Sequence, residues 1–543
     1  MDVNISRVIY TTISGIYLVL FLSPRCGSGS NVLISSMHGE GSHFFVGTGV
    51  GEGLVQRGHN ATLLISRAFE HHTRNPKYSN LSFEVFDHHK RSVQEIRDFW
   101  KDFGALSLGR SNDGLIKTTF FLIESMADDC EDILLDVELM KRLEVVDAVV
   151  VDMTWLCGVM IRAALERNLN YSKRIALVTL MPFTPQGMAL FSYGSPYNPA
   201  YQPELNTGFT NRMSFFQRTA NLLQSVVYAL LGGGVAMPAY VRVGKNTGLE
   251  NVINYKMSLY HELADLHLQN FDFVMEFPFP ITPNVIPVGG GLTAWPAAEL
   301  NEELEDFMES SGDHGVILFT FGTYFGEITI VQPGFAEEFA EAFRRLPQKV
   351  IWQMKDPIDE LKVPSNVKVM PWVPQNDLLG HPKTRVFLYQ GGNNGFQEAC
   401  YHGVPIVVVP LHGDQFDVAA RVEARGMGRK IDKMAASADV IYNALHDVIS
   451  NPKYTEVAKT VSTIIKERPV QAREQAAFWI EHVIKYGGQY LKSSAMELSV
   501  IEYFMLDVMA FLLLIVAVIV FMVAFGVRLC WRMVCGKRKT KLD

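Results

Sequence analysis

Short apolar runs alternate with helical patterns along most of the chain. In the first half, Val32 to Met37 reads as a strand, Phe44 to Arg57 as a helix and Ala61 to Ser66 as the next strand. Asp147 to Asp152 is a β-branched run, and Ile175 to Thr179 another. In the second half the strand candidates are Gly315 to Phe321, Val350 to Gln353, Val367 to Met370, Arg385 to Tyr389 and Pro405 to Pro410. Runs of this kind, apolar on both faces and spaced by helices, belong to parallel sheets covered by helices on each side. Phe277 to Pro296 is rich in proline and glycine and predicts an interdomain linker. The expected architecture is α/β, with two doubly wound domains, residues 31–280 and 281–492, facing a cleft.

The two ends have a different pattern. Arg7, the apolar stretch Val8 to Leu22 and the small residues Gly27 to Ser30 read as a secretory signal, residues 1–30. After a juxtamembrane segment, 493–507, residues 508–527 carry no charge and are long enough to cross a hydrocarbon core of roughly 30 Å. Asp507 precedes this span, and Arg528, Arg532, Lys537, Arg538, Lys539 and Lys541 follow it in the tail 528–543. The positive-inside rule puts that tail in the cytosol and the bulk of the chain in the lumen. Lys539 and Lys541 resemble a di-lysine retrieval signal, so the expected location is the endoplasmic-reticulum membrane. Sequons at Asn60, Asn80 and Asn170 are compatible with a lumenal glycoprotein.

Composition removes several classes. A chain that is 48% hydrophobic and 20% charged is not intrinsically disordered. A net charge of -8 argues against nucleic acid as a partner. Of six cysteines, Cys530 and Cys535 lie at the cytosolic membrane edge and Cys26 in the signal, which leaves Cys130, Cys157 and Cys400; these allow at most one disulfide, and three buried thiols are the preferred reading. One helix stands apart. Ser214 to Leu231 opens on a Ser214/Gln217 capping box, has a wide apolar face and stops at Gly232 to Gly234. It reads either as a core helix of the first domain or as an insertion leaning on the membrane.

Open α/β sheets bind ligands beyond the carboxyl ends of their strands. His43 follows the first strand at the start of a helix, a position that disfavours the imidazolium form, and Asp152 closes the valine-rich strand. Paired, they would act as a base and the carboxylate that orients it. Gly47, Gly49, Gly51 and Gly53 lie inside a helix rather than at its turn, so they indicate close helix packing instead of a dinucleotide fingerprint. No HExxH metal motif occurs, and the doublets His71-His72 and His88-His89 read as solvated loop residues.

The second half carries the longer motif, WVPQNDLLGHPKTRVFLYQGGNNGFQEACYHGVPIVVVPLHGDQ from Trp372 to Gln415. Arg385 to Tyr389 is a strand, Gln390 to Gly395 a glycine-rich turn and Phe396 to Tyr401 a helix with Glu398 on its first turn. Such a turn holds a diphosphate on backbone N–H groups without a metal. This stretch resembles the signature of the UDP-glycosyltransferase family, in particular its animal membrane-bound UDP-glucuronosyltransferase branch. LVQRGH at Leu54 to His59, FWIEHV at Phe478 to Val483, the apolar span and the basic tail extend the resemblance over almost the whole chain.

The resemblance implies a GT-B fold of two Rossmann-like domains, acceptor in the first and UDP-sugar in the second. It implies His43 as catalytic base and Asp152 as its partner. Trp372 and Gln375 would meet the uracil, Gly391, Gly392, Asn394 and Gly395 the diphosphate, and Glu398 the ribose. Gly322 and Thr323 would touch phosphate, and Asp414 and Gln415 the sugar hydroxyls. The UDP-sugar is a co-substrate, with no cofactor and no metal required. The acceptor would be a small lipophilic hydroxyl compound, and homo-oligomers are compatible with the family. Two positions depart from the pattern: Gln390 stands where a histidine is usual before the paired glycines, and Phe279 where vertebrate glucuronosyltransferases carry arginine between two prolines. The expected reaction is inverting transfer of glucuronate. Transfer of glucose or galactose is the alternative, and a non-catalytic UDP-sugar- or lipid-binding membrane protein a second one.

Overall fold

The computed structural model describes residues 29–39, 41–107, 114–155, 157–231, 236–252, 263–323, 334–355, 358 and 360–536. Residues 1–28 of the expected signal, the glycines after Leu231 and the lysines of the tail end lie outside them. Residues up to Leu491 form one compact unit, and Lys492 onward a second.

The first sheet has seven strands, β1 (Asn31–Ser35), β2 (Asn60–Ser66), β3 (Ser82–Phe86), β4 (Ala148–Asp152), β5 (Ala176–Met181), β6 (Leu266–Gln269) and β7 (Val285–Pro287), in the order β3-β2-β1-β4-β5-β6-β7. The second has six, β8 (Val316–Thr320), β9 (Lys349–Gln353), β10 (Val367–Met370), β11 (Thr384–Tyr389), β12 (Ile406–Val408) and β13 (Gly428–Lys430), in the order β10-β9-β8-β11-β12-β13. Every pairing is parallel. The central strands explain themselves: AVVVD of β4 and VILFT of β8 are buried at every position, as a strand covered on both faces must be.

Strand order reverses between β1 and β4 in the first sheet and between β8 and β11 in the second. In open α/β sheets these switch points leave a crevice beyond the strand ends, because the connections on either side leave in opposite directions. His43 and Asp152 border the first crevice. Gly322 and Gln390 border the second.

The domains exchange material beyond the expected boundaries. β7 lies past residue 280 and completes the first sheet. The helix Ala472–Tyr486 returns from the second half to bury Ala476, Ala477, Ile480 and Val483 among Val32, Ile34, Phe44 and Val50 of the first. The glycines of helix Gly41–Gln56 make this docking sterically feasible. A Cβ on Gly49 would fall 2.1 Å from the Leu292 carbonyl oxygen, and one on Gly53 2.3 Å from that of Arg473. Arg57 to Glu481 at 2.7 Å and Arg473 with Glu52 add ion pairs across the same seam.

Cys130 and Cys157 are joined by a disulfide rather than remaining thiols, because the helices Gly114–Leu135 and Cys157–Asn168 pack side by side and bring their Cα atoms to 5.2 Å. Cys400 is a buried free thiol. In the second unit, the helix Leu506–Gly536 is long and apolar enough to cross a membrane.

Candidate active site

The helix Gly41–Gln56 begins earlier than its apolar pattern suggests, so His43 sits inside its first turn. Its Nδ1 lies 2.6 Å from Asp152 Oδ2 at the end of β4. The other carboxylate oxygen accepts from Thr154 N at 2.9 Å and Thr154 Oγ1 at 2.7 Å. Three donors on a carboxylate that is 3% exposed hold it in the ionised form. Burial pushes the Asp152 carboxyl up, but the charge and hydrogen bond of His43 outweigh it and leave the group below its ordinary value. For His43, burial works against the imidazolium, while Asp152 and then Asp414 favour it, and the net direction is upward. The helix terminus, expected to keep this ring neutral, is overridden by a carboxylate in direct contact. With Nδ1 engaged, Nε2 can accept a proton from a hydroxyl beside it, and Asp152 can steady the imidazolium that forms. Phe183, with its ring centre 6.0 Å from that of His43, gives the site an apolar wall.

Across the cleft, the glycine-rich turn is shorter than its sequence suggests. The helix Asn393–His402 already starts at Asn393, with Gly392 before it, so Gly395 is helical and Glu398 lies on the second turn rather than the first. Gly391 has φ +99° and Gly322 φ +71°, both left-handed positions where a side chain is strained. The Gln390 carboxamide fills the space between the two turns. Its nitrogen is 2.5 Å from where a Gly322 Cβ would be and 3.1 Å from that of Gly392, and its oxygen is buried without a hydrogen-bond partner among the described residues. Gly395 packs flat on Tyr389 and Phe387. Thr323 follows Gly322 at the end of β8.

Trp372 is 59% exposed, an unusual state for a large aromatic ring and one that suits stacking on a planar ligand. Gln375 donates from Nε2 to Glu398 Oε2 at 2.7 Å. Burial raises the Glu398 carboxyl to about 7, against that hydrogen bond and the charge of Lys77. Burial likewise raises Asp414 to about 6, against the charges of His43 and Arg421. The mutual influence of His43 and Asp414 shows that the two domains bring their ionisable groups together at one place. Gln415 spends its amide oxygen on Leu411 N at 2.8 Å and His412 N at 3.0 Å, so its NH₂ group is what remains for a ligand.

Several contacts across the cleft carried no local signal in the sequence, including one made by Asn394, a residue expected at the diphosphate. Asn394 Nδ2 donates to the carbonyl of Ser42, next to His43, at 3.0 Å. Asn393 Nδ2 donates to Pro182 O at 3.1 Å, and Gln397 Nε2 to Asn270 O at 2.5 Å. One helix face thus clamps the second domain onto the loops of the first. The spacing 393/397 is a polar stripe that could have been noticed, but its partners are distant in sequence. Arg421, buried on the helix that follows Asp414, pairs with Glu276 at 2.6 Å. Phe279, with Phe271 and Phe273 around it, lines a small cavity together with that arginine.

The histidine doublets are not uniformly solvated. His71 and His89 are exposed, but His88 is buried between Ser66 Oγ at 2.5 Å and Asp129 at 2.6 Å, and His72 stacks on Phe44 at 4.1 Å. Such partners lie far away in the chain, so local sequence does not reveal them.

Two parallel-sheet domains that present a base pair on one side and a glycine-rich helix start on the other define a nucleotide-sugar glycosyltransferase of the GT-B type. The solved spinosyn forosaminyltransferase has the same fold, with a TM-score of 0.57 at 17% identity over 84% of this chain and 99% of that one. The glycotransferase of kitacinnamycin gives 0.56 at 18% identity, over 84% and 98%. Residues 30–541 match the family described as UDP-glucoronosyl and UDP-glucosyl transferase, and the chain belongs to that family. Among its relatives, UDP-glucuronosyltransferase 2B13 of Oryctolagus cuniculus is 34% identical over 545 residues, 97% of this chain and 98% of the relative. UDP-glucuronosyltransferase 2B1 of Rattus norvegicus is 33% identical over 508 residues, 90% and 92%. The chain is a glycosyltransferase that uses a UDP-sugar as co-substrate.

Proposed function

We propose that the protein transfers glucuronate from UDP-glucuronate to a hydroxyl of a small lipophilic acceptor, with inversion at the anomeric carbon. The observation that carries the mechanism is the 2.6 Å contact between His43 and Asp152 at a switch point facing Asp414 of the other domain. His43 Nε2 takes the acceptor proton as the oxygen attacks, Asp152 stabilises the developing imidazolium, and UDP leaves as its β-phosphate takes up the bonding pair. The leaving group rests on the backbone amides after Gly391 and on the turn at Gly322, where fixed dipoles balance phosphate charge. Glu398 accepts from the ribose, Trp372 and Gln375 hold the base, and Asp414 with the Gln415 amide holds the sugar.

The glucuronate assignment follows the named relatives. Phe279 takes the place of a cation, and Arg421 beside its cavity is committed to Glu276. Competition between UDP-glucuronate and UDP-glucose for one phenol therefore tests it. Preferential formation of the glucuronide is expected, and a clear preference for glucose would refute the donor assignment while leaving the mechanism intact.

The reading also includes an endoplasmic-reticulum location, a cleaved signal, a lumenal glycosylated body and a cytosolic tail. In sealed microsomes, protease is expected to remove only a short C-terminal piece. Digestion of the large unit without detergent would reverse the orientation.

A further inference from the structure

Lys77 belongs to the first domain, but its ammonium faces the second. It lies in the short helix Pro76–Tyr78, where Asn75 Oδ1 accepts from its backbone N–H at 3.0 Å. The next residue, Tyr78, is buried and packs edge-on against Phe44 of the helix that carries His43, with ring centres 5.3 Å apart. The backbone at Lys77 is thereby fixed to the catalytic helix. Its side chain reaches the segment between β7 and β8, where the ammonium sits 4.2 Å from the ring centre of Trp295, close enough for the ring face to attract it. Trp295 is a firm seat. Its N–H donates to Asn376 Oδ1 at 3.3 Å, Asn376 Nδ2 donates to its carbonyl at 3.2 Å, and the Arg473 guanidinium lies 5.1 Å from the same ring. Asn376 follows Gln375, whose amide donates to Glu398 at 2.7 Å. A short chain of contacts thus leads from Lys77 to the carboxylate assigned to the ribose.

Four charged groups face this ammonium: Glu52, Glu398, Arg473 and Asp377. Glu52 is already paired with Arg473. Asp377 Oδ1 accepts from Ala298 N at 3.1 Å and from Asn376 Nδ2 at 3.0 Å. Glu398 is 9% exposed, and the side chains acting on it are the neutral amide of Gln375, Lys77 and Asp377. Among the described residues, Lys77 is therefore the cation that faces this buried carboxylate. We propose that Lys77 is a positioning residue of the donor site: from the first domain it holds Glu398 as a carboxylate able to accept from the ribose. The inference rests on the reading of Glu398 as the ribose-binding group. A buried carboxyl stays protonated to higher pH when no cation is near, and an ionised oxygen makes the stronger bond to a hydroxyl. Because Lys77 is itself exposed, water screens its charge and keeps the effect small.

The test measures UDP affinity by calorimetry from pH 5.5 to 8.5, using the full chain in detergent. Wild type, Lys77→Met, Lys77→Arg, Glu398→Gln and the double variant Lys77→Met with Glu398→Gln are compared. Ionisation of UDP itself is common to all of them and cancels in their ratios. Without the cation more Glu398 is protonated at low pH, so Lys77→Met is expected to weaken UDP about threefold at pH 6, the effect of an ionisation moved up by about half a pH unit. At pH 8.5 its affinity is expected to equal that of the wild type. Lys77→Arg is expected to follow the wild type, because charge and ring contact both remain. In the Glu398→Gln background, Lys77→Met is expected to change nothing at any pH. A ratio of Lys77→Met to wild type that is flat across pH, whatever its size, would overturn the proposal. A pH-dependent loss that persists in the Glu398→Gln background would overturn it in favour of direct contact between the ammonium and UDP. Should Glu398→Gln alone leave UDP affinity unchanged at every pH, the ribose reading of Glu398 fails and the proposal with it. A flat ratio beside a Glu398→Gln that does weaken UDP overturns the proposal alone.

Discussion

Replacing Asp152 by asparagine probes the site with almost no change of shape. The amide oxygen would stay on Thr154, whose N–H and hydroxyl both donate to Asp152 Oδ1. The amide NH₂ then faces His43 Nδ1 at the present 2.6 Å contact and can only donate. Nδ1 is forced to accept, the ring proton moves to Nε2, and the atom that should take the acceptor proton already holds one. Two losses follow. Removing a charge-assisted hydrogen bond costs about 1.5–3 kcal/mol, or roughly 10- to 150-fold in rate. The wrong tautomer takes the loss further, toward the ~10⁴ seen when an orienting aspartate becomes asparagine in a serine-protease triad. Turnover is expected to fall by about 10²–10⁴, with UDP affinity unchanged because the nucleotide residues lie in the other domain. The pH profile supplies the sign. Asp152 holds His43 above its ordinary value, and only the neutral ring is a base. In the variant the imidazolium loses that support, so the acid limb of kcat/KM moves to lower pH while the plateau drops. Initial rates of UDP release at saturating donor, measured from pH 5 to 9, read both effects. A plateau within about threefold of the wild type, or an acid limb shifted upward, would refute the assignment.

Gln390→His is expected to tighten UDP-sugar binding modestly or leave it equal, because the carboxamide already offers a donor between the two turns; calorimetry reads this, and loss of binding would argue that the histidine does not fit there. The buried Glu398 carboxyl, raised to about 7, accepts more strongly from ribose hydroxyls when ionised, so UDP affinity is expected to fall as pH drops below about 7 and stay flat above it, and Glu398→Gln is expected to abolish that slope. Cys157→Ser opens a disulfide of sequence separation 27 and is expected to cost about 3–4 kcal/mol of stability, read from denaturant midpoints, whereas an unchanged midpoint would contradict the bond. Gly53→Ala puts a methyl against the Arg473 carbonyl and is expected to lower stability by about 1–3 kcal/mol, while Gly58→Ala, whose Cβ meets nothing within 4 Å, reports backbone strain alone.

Much of the architecture was legible because parallel strands covered on both faces leave continuous apolar runs. Those runs located most of the strands of both sheets, and the strand ends pointed at His43 and Asp152. β6, in Leu266–Gln269, was hidden because it includes a histidine and a glutamine, buried polar residues that break an apolar run. Two helices start a few residues before their apolar pattern does, at Gly41 and at Asn393, because glycine, serine and asparagine, which signal a turn, here form the first helical turn. The Cys130–Cys157 bond and the packing of Ala472–Tyr486 on the first sheet depend on contacts between segments far apart in sequence. So does the His38–Asp129–His88 cluster, where His38 lies 2.6 Å from one oxygen of Asp129 and His88 2.6 Å from the other. The helix Phe215–Leu231, where Phe216 is 81% exposed and Leu230 66%, shows the limit of periodicity: it gives a helix and a stripe, but not which way the stripe points.

The most direct measurement compares wild type with His43→Ala in one experiment, following UDP release and glycoside formation from a UDP-sugar and a simple phenol while calorimetry follows UDP binding. Stoichiometric UDP and glycoside are expected from the wild type, with turnover lower by about 10²–10⁴ in the variant and equal UDP affinity in both. Full turnover in the variant, or binding without turnover of any UDP-sugar by the wild type, would contradict it.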